Sequence, residues 1–256
     1  MRKKYLGAVL GVLALALAGL SGLALAKAGK GPNHKFDLTF STKKPNKAAG
    51  LNSFLTDRYS FKPQPVGQPA DPVTSITFKL PKGSKLDFAA IKASKLKPCT
   101  VAKLGSSGDP VAAGCVNITK GKAEATAIVT GLPNPITIKE DVQLFAATKQ
   151  IVLRLRQRPG QLGQTANIPI NAKSGGRLVA VVPKFCAADN ASTPFCDTEV
   201  VLTVVKAAFK KITRGKHALI TTPKTCPKSH KWTSSAAYKF RSTKPETVKS
   251  TTPCRG

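Results

Sequence analysis

The sequence predicts an all-β fold, an antiparallel β-sandwich or distorted jelly roll with one or two short helices. Three observations predict it. Short runs rich in β-branched and aromatic residues alternate apolar with polar at period two. Turn residues separate these runs, with 20 Gly and 19 Pro in 256 residues. Helical periodicity is almost absent. At 41% hydrophobic residues the chain is too apolar for a wholly disordered one, and its composition excludes collagen-like and multi-span membrane classes.

Taken in order, 27–34 is a short polar start, read as a flexible N-terminus. Phe36 to Phe40 alternates as a half-buried strand. Ser41 to Ala70 is read as a long connection, because Pro45, Pro63, Pro65 and Pro69 fall in it, with at most a brief strand at Tyr59 to Phe61. Val73 to Leu80 is a strand stopped by Pro81-Lys82-Gly83. Asp87 can cap a short helix through Phe88 to Ile91. Ala123 to Thr130 is a strand. Ile136 to Ala146 and Ile151 to Arg156 form a hairpin around Thr148-Lys149-Gln150. Ala166 to Ile170 and Arg177 to Val182 flank Gly175-Gly176, and Pro169 places the first of them at a sheet edge. Val200 to Val205 is a strand whose continuation through Phe209 is ambiguous between strand and helix. Ala218 to Thr222, Trp232 to Phe240 and Glu246 to Thr252 complete the set. No composition shift marks a linker, so 35–256 is expected to be a single domain.

Residues 1–26 read as a secretory signal peptide. Arg2, Lys3 and Lys4 precede an uncharged apolar run, and Ala24-Leu25-Ala26 forms a cleavage site. An uncleaved membrane anchor is the alternative, since the run is long enough to span a bilayer. After cleavage no membrane span is expected. Six cysteines follow: Cys99, Cys115, Cys186, Cys196, Cys226 and Cys254. An even number in an exported chain points to disulfides. Sequential pairing, Cys99–Cys115, Cys186–Cys196 and Cys226–Cys254, is expected because each pair brackets a local loop, although six cysteines allow fifteen pairings. No C-x-x-C occurs, so zinc spacing is not met, and no metal or cofactor is expected.

Catalytic chemistry has little to stand on in the sequence. Glu140 and Asp141 are adjacent, so in a strand they point to opposite faces. Asp197 and Glu199 share a face but read as a solvated pair. His34, His217 and His230 have no neighbouring acid in the sequence, and His34 falls in the expected loose start. No nucleophile elbow, zinc-protease or P-loop motif is present. Trp232, the one tryptophan, is expected to plug the core beneath Cys226–Cys254.

The basic residues are the functional lead. There are 41 Lys and Arg against 12 Asp and Glu, a formal charge of +29, and cleavage after Ala26 would remove three of the positive charges. Two stretches are dense: Arg154, Arg156 and Arg158, and Lys206, Lys210, Lys211, Arg214 and Lys216. Arg154 and Arg156 share a strand face, about 7 Å apart along it. All of these except Arg158 are the candidate anion-binding residues, and anionic cell-envelope or extracellular polymers are the expected partners. Specific nucleic-acid binding is not expected, because aromatics are not interleaved with the cations.

The end of the chain, Thr222-Pro223-Lys224-Thr225-Cys226-Pro227, then Lys231-Trp232-Thr233, then Ser250-Thr251-Thr252-Pro253-Cys254, resembles that of uncharacterised secreted proteins of high-GC Gram-positive bacteria. Lys97-Pro98-Cys99 after Pro81-Lys82-Gly83 resembles the same group. His230 stands where that group has Gly. The resemblance implies a disulfide-bonded extracellular β-sandwich and no activity. The sequence thus leads to a secreted, non-enzymatic, basic β protein associated with the cell envelope. An extracellular carbohydrate-active or other hydrolytic enzyme is the alternative.

Overall fold

The computed structural model describes residues 29–30, 34–56, 72–92, 104, 108–129, 136–160, 165–184, 200–241 and 243–255. The expected signal peptide and the brief strand expected at Tyr59 to Phe61 lie outside them, as do Cys99, Cys186 and Cys196.

The fold is all-β and antiparallel, as predicted. The strands are β1 (Gly29–Lys30), β2 (Lys35–Phe40), β3 (Leu51–Thr56), β4 (Val73–Lys79), β5 (Lys85–Leu86), β6 (Val116–Asn117), β7 (Glu124–Val129), β8 (Ile136–Ala147) and β9 (Gln150–Gln157). They continue as β10 (Ala166–Lys173), β11 (Arg177–Val181), β12 (Val200–Ala208), β13 (Thr213–Arg214), β14 (His217–Ala218), β15 (Ile220–Thr221), β16 (Lys231–Phe240) and β17 (Glu246–Pro253). One short helix, α1 (Ala89–Lys92), is present, and the Asp87 carboxylate accepts from the Ala89 amide at 2.8 Å as its cap.

Thirteen strands form one sheet in the order β1-β2-β3-β12-β7-β8-β9-β10-β11-β4-β16-β17, with β6 paired to β8. The sheet curls until β17 meets β2. There Leu38 is held by side chains of β17: its amide donates to Ser250 Oγ at 3.4 Å, and its carbonyl accepts from Thr252 Oγ1 at 2.7 Å. Closure of this kind leaves fewer exposed ladder groups to pair with other chains.

Alternation decides what the curled sheet encloses. Phe36, Leu38 and Phe40 of β2 point inward, as do Ala125, Ala127 and Val129 of β7 and Ile151, Leu153 and Leu155 of β9. With Trp232, Ala236 and Tyr238 of β16 they share one core. Phe40 meets Trp232 edge-on at 5.5 Å between ring centres, and Phe36 lies 6.2 Å from Phe78 of β4. Each such ring, once buried, contributes roughly 1.5–3 kcal/mol.

A second cluster lies outside the curl, on the far face of the β8–β9 hairpin. Phe145, Ala147 and Val152 pack there with Cys115, under the segment 108–117. That segment is pinned where the Gly108 carbonyl accepts from Arg154 Nη1 at 2.7 Å and from Asn167 Nδ2 at 2.6 Å.

The two ends of the curl differ. One is covered by α1, by the β5–β15 pair and by buried Ile91, Leu219 and Ile220. The Cys226–Cys254 disulfide sits at this end, with its Cα atoms 5.7 Å apart. Trp232 starts β16 here, only 3% exposed, and donates from Nε1 to the Thr225 carbonyl at 3.0 Å. Cys115 is also disulfide-bonded, and among the described residues no cysteine is free. The opposite end is a mouth, where β2, β4 and β12 begin and β3 and β16 finish.

Four local expectations are corrected. The connection from Ser41 to Ala70 contains β3, a strand between β2 and β12. Its pattern, Leu-Asn-Ser-Phe-Leu-Thr, does not alternate cleanly, so pairing on both sides rather than periodicity selects it. β10 is not an edge strand, since it lies between β9 and β11. Pro169 sits one residue past the last β10–β11 pair, Ile170 with Ala180, where its missing N–H removes no ladder bond. The continuation of β12 is strand through Ala208, because β3 pairs with it as far as Asn52. His34 is not frayed but 4% exposed.

Candidate functional site

The expected cations divide into two groups. Arg154 and Arg156 share the outer face of β9, but Arg154 is largely buried, bonded to Gly108 and 3.8 Å from Asp109. It holds a loop in place. Arg156 is exposed and stands opposite Asp141. Next to it Arg158 donates from Nε to Asp141 at 2.8 Å, and its Nη2 lies 4.0 Å from Glu124. Lys206 lies 3.5 Å from the same Glu124, with its ammonium 5.8 Å from the Phe54 ring centre. A row of alternating charge therefore crosses β12, β7, β8 and β9, and the acids compensate most of its cations.

Lys210, Lys211, Arg214 and Lys216 differ. All four are exposed, on the segment after β12 and on the β13–β14 hairpin. None forms an ion pair with a described acidic residue. The fold thus brings Lys206 beside the Arg158 network and leaves Lys210 to Lys216 as a separate cationic edge.

The acids read as catalytic candidates do not converge. Glu140 faces the interior at 2% exposure and Asp141 faces out. Asp197 and Glu199 lie outside the described residues. Among the described residues no cluster of three His, Cys, Asp or Glu could hold a metal ion.

Tertiary structure gives two histidines the acids that the local sequence lacks. His34 Nδ1 lies 2.8 Å from Glu246 Oε2, and its ring stacks on Tyr238 at 4.2 Å. His217 Nδ1 lies 2.8 Å from Asp87 Oδ2. That hydrogen bond is the main cause holding the Asp87 carboxyl below its ordinary value. Asp37, half-buried beside the seam, is pushed the other way, because loss of solvent outweighs its bonds from Ser250 and the Leu38 amide.

A cavity of about 160 Å³ occupies the mouth. β3 and β12 supply one wall through Leu55, Leu202 and Val205, and β4 supplies another through Val73 and Ile76. His34 and Tyr238 line it as well. Nothing in the local sequence marks this site, because its walls come from strands distant in the chain.

Fold and site define an all-β antiparallel protein whose large sheet is nearly closed, with an apolar cavity at its open end. No family model matches the chain, and neither a curated protein nor a solved structure is significantly similar to it.

Proposed function

We propose that this is an exported, non-enzymatic protein that associates with anionic cell-envelope polymers through its lysine-rich surface. The observation that carries the reading is the edge formed by Lys210, Lys211, Arg214 and Lys216, exposed and unmatched by described acids in a chain of net charge +29. Exposed charges attract polyanions at long range and do so without a unique geometry. Export is supported by the signal-like N-terminus and the Cys226–Cys254 disulfide. Among the described residues no helix is long and apolar enough to cross a membrane.

The test is retention on purified wall polymer across a salt series. Four phosphate-like contacts should cost roughly 50-fold in affinity between about 50 and 200 mM salt. Changing the four cations together to Gln should flatten that salt slope by about 3. Retention indifferent to salt, or unchanged in the fourfold variant, would remove this reading.

A further inference from the structure

The mouth cavity has a polarity gradient. Its inner lining includes His34 and Tyr238, at 4% and 2% exposure, while Lys184 and Arg241 line it as exposed residues. The cavity therefore runs from an apolar interior to a cationic rim.

Two bulges shape it. Against β7, the register of β12 jumps from Leu202 to Val204 and leaves Thr203 as the extra residue. Against β16, β4 jumps from Ser75 to Val73 and leaves out Thr74. Both extra residues line the cavity. Bulges at barrel rims re-aim side chains and locally interrupt regular pairing, and both bulges here lie beside the cavity. Hydrogen bonds fix the result: Val182 N to Thr74 O at 3.0 Å, Thr74 Oγ1 to Lys239 O at 3.2 Å, Arg241 N to Pro72 O at 3.2 Å, and Thr203 Oγ1 to Thr126 O at 3.1 Å.

We propose that this cavity binds a small amphipathic carboxylate, its apolar body between β3–β12 and β4 and its carboxylate at the rim beside Lys184. Size sets the body: an apolar cavity of about 150 Å³ accommodates benzene, so a six-carbon chain or a single ring fits. Charge sets the head, since the exposed Lys184 brings an ammonium to the cavity lining. This site lies at the opposite end of the curl from Trp232 and is separate from the Lys210–Lys216 edge.

The experiment is calorimetric titration of the full protein with hexanoate, hexanol and acetate. Hexanoate should bind about tenfold more tightly than hexanol, which lacks the charge, and acetate, which lacks the body, should show no saturable binding. Lys184→Gln should remove most of the hexanoate preference, whereas Lys173→Gln, remote on β10, should not. Val182→Trp, at a partly exposed rim position, should abolish binding while circular dichroism stays native. Equal binding of hexanoate and hexanol, full binding by Val182→Trp, or no saturable binding of hexanoate would each overturn the proposal. None of these outcomes depends on wall retention, so the polymer reading stands or falls separately.

Discussion

Thr252 Oγ1 donates a 2.7 Å hydrogen bond to the Leu38 carbonyl, across 214 positions of sequence and inside the protein. This contact, with Ser250 Oγ accepting from the Leu38 amide, joins the two ends of the sheet. Side chains of β17 take over where β1, only two residues long, no longer covers β2. Replacing Thr252 by Val keeps the shape but leaves the Leu38 carbonyl buried without that donor. We expect a loss of about 1–2 kcal/mol in urea unfolding, with the slope unchanged. An unaltered midpoint would show that the seam contributes nothing.

Trp232 combines two roles that substitution can separate. Trp232→Phe retains a ring against Phe40 but loses the indole hydrogen bond to the exposed Thr225 carbonyl, at a cost of about 0.5–1.5 kcal/mol. Trp232→Ala removes the ring as well and should cost about 3–5 kcal/mol. Thermal unfolding of both variants measures the difference, and equal values would mean that the ring carries no packing weight.

Reduction of Cys226–Cys254 should be costly. The bridge spans 28 positions, for which the chain-entropy relation gives about 3.5 kcal/mol. Cys226→Ser with Cys254→Ser should lower the denaturant midpoint accordingly. A double variant as stable as the parent would contradict the entropic account.

Two aspartates should respond to acid with opposite signs. Asp87 has a lowered folded value, through its bond to His217, so its contribution is complete above 3.8 and is lost as pH falls through that lowered value. Asp37 has a raised folded value, caused by burial. Its charged form is a cost present above that raised value and relieved as pH falls through it towards 3.8. Asp87→Asn should therefore make the protein less sensitive to acid below pH 3.8. Asp37→Asn should leave stability at pH 7 equal or higher. Denaturant unfolding as a function of pH reads both, and a loss on Asp37→Asn at pH 7 would reverse its assignment.

His230 adopts φ +53°, in the left-handed region that glycine occupies without strain. Its amide donates to Pro227 O at 2.8 Å and its carbonyl accepts from Cys254 at 2.9 Å, so the turn is held despite the side chain. His230→Gly should be tolerated with little change in the unfolding midpoint, whereas His230→Val should lose about 1–2 kcal/mol.

By itself the sequence determined where β2, β4, β7, the β8–β9 hairpin, β16 and β17 lie, and the buried face of those that alternate cleanly, such as β2 and β7. Period-two burial is a local property, so residues such as Phe36, Leu38 and Phe40 declare their face without reference to partners. Asp87 as a helix cap is equally local. What depends on partners was decided only by the tertiary structure. β3 is a strand because β2 and β12 flank it, and Pro169 is tolerated because β11 ends beside it. Arg154 looked like a free surface cation, but its use is set by Gly108, 46 residues away. Glu246 reaches His34 across 212 positions, and the mouth cavity draws its walls from β3, β4 and β12. Hydrogen bonds and cavities are fixed by distances in space, and pairing order around the sheet, which no local pattern encodes, sets those distances.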